Sequence, residues 1–136
     1  MTQELASRLA REHRDLDDWF GRFLAAAFAG EAAAASEAIG AFDDALRRHT
    51  ALEEERLYPP APPHGLAAPP QEDETSRRFR ELRLEHVQVR ELSGMIRRLL
   101  AEKPDLEAAR RLAPNLARRW DAHTAREERE LFGSTP

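Results

Sequence analysis

Apolar residues near the start of the chain fall at Leu5, Leu9, Leu16, Phe20, Phe23 and Ala27, with steps of three or four except one gap of seven that His13 fills. Such spacing marks one buried helical face, so a first helix with His13 turned inward is expected. After Gly30 the period resumes through Ile39, Phe42 and Leu46, and His49 and Glu53 then hold core positions before Leu57. The third stripe, Phe79, Leu82, His86, Val89, Ser93, Ile96 and Leu100, alternates three and four like a heptad seam with His86 inside it. A fourth reads Leu112, Leu116, Trp120, His123, Glu127 and Leu131. Its start is expected at Asp105, whose carboxylate can cap the first turn. Pro114 predicts a kink or a later start, because proline removes a helical hydrogen bond and crowds the preceding turn.

Between Tyr58 and Thr75 the chain holds six of its nine prolines, so residues 59–75 are expected to form the long loop joining two helical hairpins. Helices of roughly 25 residues would be about 37 Å long. Four of them, each with one apolar face, predict an all-α, up-down-up-down four-helix bundle with residues 1–136 as a single domain.

The two halves repeat one another. His49-Thr-Ala-Leu-Glu-Glu-Glu-Arg-Leu-Tyr and His123-Thr-Ala-Arg-Glu-Glu-Arg-Glu-Leu-Phe agree at six of ten positions, and Leu9-Ala-Arg-Glu-His and Leu82-Arg-Leu-Glu-His at three of five. The histidines are 36 residues apart in the first half (13 to 49) and 37 in the second (86 to 123). Each hairpin thus offers one His and then a His-x-x-x-Glu, whose members lie one turn apart on the same helical face. A pseudo-twofold packing would gather four imidazoles and two carboxylates in an apolar core, a donor set for two metal ions.

A lone inward histidine is usually a satisfied core residue, but four are different. If about three in seven helical positions face inward, all four doing so by chance has a probability on the order of 3 %. Glutamate is almost never buried alone, because desolvating a carboxylate costs several kcal/mol, and no Lys or Arg lies in the stripes beside Glu53 and Glu127. Composition narrows the chemistry. With no cysteine among 136 residues, thiolate metal sites, iron–sulfur clusters and cysteine nucleophiles are excluded. A net charge of −4 argues against nucleic acid or anionic lipid as partner. Neither a leader-like N-terminus nor a run of eighteen apolar residues is present in the sequence, so a cytoplasmic protein is expected.

The set His13, His49-x-x-x-Glu53, Glu85-His86 and His123-x-x-x-Glu127 resembles the haemerythrin family in its broad form, the HHE cation-binding domain, over nearly the whole chain. The resemblance implies a bundle-core, oxo- or hydroxo-bridged di-iron centre. Glu53 and Glu127 would bridge the irons, with His13, His49, His86 and His123 as the remaining ligands. Imidazole and carboxylate also suit manganese, copper or zinc. Oxygen-carrying haemerythrins have another histidine four residues after the helix 3 ligand. Here that residue is Arg90, so both irons are expected to keep an open position.

Around this set, Asp17 occupies the position equivalent to Arg90, and an ion pair with it, or simple solvation, is expected ahead of a ligand role. Tyr58 is expected to pack as Phe132 does in the other half, with a phenol close to the cluster as the alternative. His64, among prolines, is expected to be exposed and not a ligand. Glu12 and Glu85 point about 100° away from the neighbouring histidines and are expected in surface salt bridges, with a place behind a metal-binding imidazole as the alternative. Glu54, Glu55, Glu128 and Glu130 read as a solvated face. The leading functional expectation is redox chemistry on O2, hydrogen peroxide or NO, with a separate electron-donor protein. A sensing module for oxygen, NO or iron, and an iron store, are the alternatives.

Overall fold

The computed structural model describes residues 1–132. Among these residues there are four long helices and no strand: α1 Gln3–Phe28, α2 Ala32–Arg56, α3 Glu74–Leu99 and α4 Leu106–Glu127, the last running into a wide π turn at Glu128–Phe132. Side-chain oxygens start three of them. Thr2 accepts from the Leu5 amide, Asp73 from Ser76 and Asp105 from Ala108, which satisfies amides that have no partner within the helix.

The α1–α2 turn depends on Gly30, whose φ of 79° lies in the left-handed region. Around it the Glu31 amide bonds the Ala26 carbonyl and the Gly30 amide bonds Ala27, a Schellman arrangement that reverses the chain within a few residues. α4 begins at the expected cap and continues through Pro114 without a delayed start. The proline-rich connection is left by α3 at Glu74, two residues ahead of the expected boundary, because Asp73 supplies the cap.

Each helix touches its neighbours in a ring, α1 on α2, α2 on α3, α3 on α4 and α4 on α1. The main apolar core fills one end of the bundle with Phe20, Phe23, Phe42, Ile39, Ile96, Leu100 and Leu116. Leu5, Leu9, Leu82 and Tyr58 are buried outside that cluster, beyond the histidines. The polar residues therefore lie between two apolar layers, inside the bundle and away from the loop tips. One further buried acid, Asp43, was not legible as core. It accepts from Ser93 and from Arg47 and Arg97, and these donors hold its carboxyl below the usual range although burial pushes the other way.

Candidate metal centre

One helix contributes each imidazole. His13 comes from α1, His49 from α2, His86 from α3 and His123 from α4, and Glu53 and Glu127 stand one turn after their histidines. All six are at most 2 % exposed. Their inward atoms fall into two groups, His13, His49, Glu53 and Glu127, and Glu53, His86, His123 and Glu127, with donor atoms in each within 4.8 Å of one another. Both groups contain both carboxylates.

The inward atoms are crowded but poorly paired. His13 Nε2 is 3.2 Å from Glu127 Oε1 and 3.8 Å from Glu53 Oε2, His49 Nε2 is 3.2 Å from Glu53 Oε2, and His123 Nε2 is 3.2 Å from Glu127 Oε1. None of these five atoms has a hydrogen bond of good geometry among the described residues. Five adjacent orphaned polar atoms in a buried core are costly. The spacing explains them. Two donors about 2.05 Å from one ion and at right angles are about 2.9 Å apart, so the atoms stand as neighbours around shared points.

On the outward side every imidazole is held by a carboxylate. His49 Nδ1 donates to Glu12 at 2.8 Å, His86 Nδ1 to Glu54 at 2.7 Å, His123 Nδ1 to Glu85 at 2.7 Å and His13 Nδ1 to Glu128 at 3.2 Å. Such a bond fixes the ring's orientation and turns Nε2 inward, where it can offer its lone pair once a metal displaces its proton. The pattern obeys the pseudo-twofold. The glutamate before a helix's histidine serves the other helix of its hairpin, and the one after a buried glutamate serves the other hairpin. Arginines steady three of the four: Arg8 on Glu12, Arg90 on Glu54 and Arg126 on Glu85.

Glu12 and Glu85 make the expected salt bridges, to Arg8 and Arg126, and also take the alternative place behind an imidazole, whereas Glu54 and Glu128 correct the expectation of a solvated face. An offset of about 100° from the buried stripe aims a side chain into the groove between helices, where a glutamate reaches the neighbouring imidazole. The signal was present in both repeats, since a glutamate directly precedes His13 and His86 and directly follows Glu53 and Glu127.

Asp17 and Arg90 do not meet. Asp17 accepts from Trp120 Nε1 at 2.8 Å, whereas Arg90 donates to Thr50 at 3.0 Å and Glu54 at 3.2 Å. Positions equivalent under a twofold face opposite interfaces, here α1–α4 and α2–α3. Tyr58 does reach the cluster. Its hydroxyl donates to Glu127 Oε2 and lies 3.1 Å from His86 Nε2, with the ring stacked on His86 at 5.2 Å. Phe132 lies correspondingly against His13 at 5.4 Å, so the packing expected of Tyr58 is present together with the polar contact. Trp120 closes the side towards the core, 5.5 Å from His13 and 6.2 Å from His49 and His123. His64 is exposed in the loop.

The buried carboxylates favour positive charge in this core. Burial opposes a charge on His13 and His86, yet Glu127 and Glu53 outweigh it and push both up to about 10. His49 and His123 are also raised, against burial, by Glu12 with Glu53 and by Glu127 with Glu85 respectively. The Glu53 and Glu127 carboxyls are lowered despite burial by the imidazoles around them. Two anions and four bases, all buried, converge on two points. Residues 4–134 match the family model Hemerythrin HHE cation binding domain.

The chain belongs to the haemerythrin HHE family. No curated protein and no solved structure matches it. As an HHE domain it is a cation-binding helical bundle, and its buried His and Glu groups are those that could hold the metal. No helix among the described residues is long and apolar enough to cross a membrane.

Proposed function

We propose that this HHE domain is a non-haem di-iron protein that binds O2, hydrogen peroxide or NO and turns it over at a carboxylate-bridged pair of irons. The observation that carries the reading is that the two donor groups share both Glu53 and Glu127, with two imidazoles reserved to each group. A single ion would leave one pair of imidazoles and their orphaned atoms unexplained. In this reading His13 and His49 hold one iron, His86 and His123 the other, and the two glutamates bridge.

Bound iron would supply electron exchange and coordination positions for a small ligand. The chain's own residues supply the rest. Glu12, Glu54, Glu85 and Glu128 orient the imidazoles and make them better donors. Trp120 and Phe132 pack against the His13 ring. With Arg90 engaged by Glu54 and Thr50, helix α3 lacks the third imidazole of the oxygen carriers, so this donor set departs from the carrier's. Turnover also calls for an electron-donor protein.

Metal analysis of protein purified without oxygen tests the reading, followed by optical spectra as O2, hydrogen peroxide and NO are added in turn. About two irons per chain and irreversible spectral change with at least one oxidant are expected. Fewer than two irons after reconstitution defeats the dinuclear reading. A reversible oxygenated spectrum defeats turnover in favour of carriage.

A further inference from the structure

We propose that Tyr58 is itself a metal ligand, its phenolate oxygen completing the ion held by His86 and His123, so that exogenous ligands are left the ion held by His13 and His49. The inference rests on the dinuclear reading above.

The position of one oxygen decides it. Tyr58 Oη lies 3.1 Å from His86 Nε2 and donates to Glu127 Oε2. Neighbouring donors of one ion are about 2.9 Å apart, so this oxygen stands beside an imidazole and a carboxylate as a third donor would. The four outer glutamates touch the imidazoles at Nδ1, facing away from the cluster. Tyr58 touches the inward atoms themselves, and among the six inward residues it is His86 Nε2, Glu53 Oε1 and Glu127 Oε2 that do not appear among the orphaned atoms.

The chain holds the phenol there firmly. The amides of Leu57 and Tyr58 both bond the Glu53 carbonyl at 2.8 Å, a wide last turn that ties the tyrosine to the backbone of the bridging residue. The ring is 4 % exposed, stacked on His86, packed on Phe79 at 5.2 Å and covered by the Arg83 guanidinium, which also donates to the Pro59 carbonyl. In the other half, Phe132 holds the equivalent place against His13 and carries no hydroxyl. One ion therefore has three side-chain donors besides the shared carboxylates and the other has two. A surface cleft lined by Arg8, Glu12, Trp19, Arg48 and His49 opens beside the less saturated one.

Coordination forms one oxygen–metal bond and breaks the phenolic O–H, whose proton leaves to solvent, with no change of oxidation state. A free phenol, with a pKa of about 10, is protonated at neutral pH, so a phenolate signal there reports a bound cation.

The chain contains one tyrosine, so the signal has a single source. Zinc(II) titrated into the metal-free protein at neutral pH should raise a near-ultraviolet tyrosinate difference band that saturates with metal uptake. The ferric protein, prepared with ferricyanide, should show a visible phenolate-to-iron band with tyrosinate ring modes in its resonance Raman spectrum. Tyr58→Phe should keep two ions and the helical circular dichroism and lose all three signals. Azide added to the ferric wild type should saturate at one per chain. Two ions bound without a tyrosinate signal in the wild type overturn this inference alone, as does a visible band that persists in Tyr58→Phe. Azide saturation at any other stoichiometry overturns the assignment of the open position. Uptake of fewer than two ions by the wild type overturns the dinuclear reading and this inference with it.

Discussion

Metal binding should displace protons from this core, and the count follows from the structure. His13 and His86, held up to about 10, are both protonated at pH 7 in the metal-free protein, with a neutral fraction of about one in a thousand each. Displacing those two protons at pH 7 costs about 4 kcal/mol per imidazole. His49 and His123 are raised as well, so two divalent ions should release between two and four imidazole protons, and one more from Tyr58 when its phenol coordinates. Four protonated imidazoles or two divalent cations bring the same positive charge to the surrounding carboxylates, which is why one can replace the other in a buried site. Because protons compete, metal affinity should rise with pH from 6.5 to about 10 and then level off. Stability of the metal-free protein should run the other way. A histidine raised in the folded state binds more protons there than in the unfolded chain, so its contribution is complete below about 6.5, on the order of 5 kcal/mol each, and disappears as pH passes about 10. A pH-stat titration with zinc(II), and urea unfolding at several pH values with and without metal, measure both. Release of fewer than two protons per pair of ions, or a metal-free protein that gains stability between pH 7 and 9, would refute the reasoning.

The outer carboxylates should matter by distance and exposure. Glu85→Gln and Glu54→Gln, which take the negative charge out of 2.7 Å contacts, should weaken metal binding about 10–100-fold in chelator competition. Glu128→Gln should cost less, since that contact is 3.2 Å long and its side chain is 52 % exposed. His86→Ala should lose one ion or change the spectrum of its site in metal analysis and optical titration, whereas His64→Ala should leave both unchanged. Phe42→Ala empties a fully buried site against Phe20 and Trp120 and should cost about 3–5 kcal/mol in urea unfolding, with metal stoichiometry retained.

The helices and the six inward residues could be read from the sequence because burial imposes a period, and His13, His49, Glu53, His86, His123 and Glu127 each broke the apolar pattern without breaking its spacing. The repeat then paired them. Glu54 and Glu128 were misread, and Glu12 and Glu85 were read only in part, because helical periodicity distinguishes an inward face from an outward one but has no category for the groove between, where a side chain is neither core nor solvent. Asp17 and Arg90 were misread for another reason. Sequence repeats identify equivalent positions, and equivalence under a twofold separates residues as readily as it joins them. Tyr58 lies past the last helical turn, where the period no longer predicts direction. Asp43 was invisible because its partners, Ser93 and Arg97, come from a different hairpin.

The ligand set is close to symmetric, but its walls are not. Tyr58 faces His86 where Phe132 faces His13, Trp120 occupies the position that Leu46 holds in the first half, and Asp17 on the indole answers to Arg90 on Glu54. Duplicated hairpins would give two equal ions, suited to symmetric bridging of a ligand. The Tyr58 and Phe132 exchange instead makes the His86 side more polar and the His13 side more apolar. In the proposed di-iron site, a small ligand at the His13 and His49 ion would have aromatic surface on its own side and the Tyr58 oxygen across the pair. A ligand such as peroxide, whose two oxygens must be treated differently if the bond between them is to break unevenly, is better served by that inequality than by a symmetric pair. The departure from the repeat, more than the repeat, is what should decide the reaction.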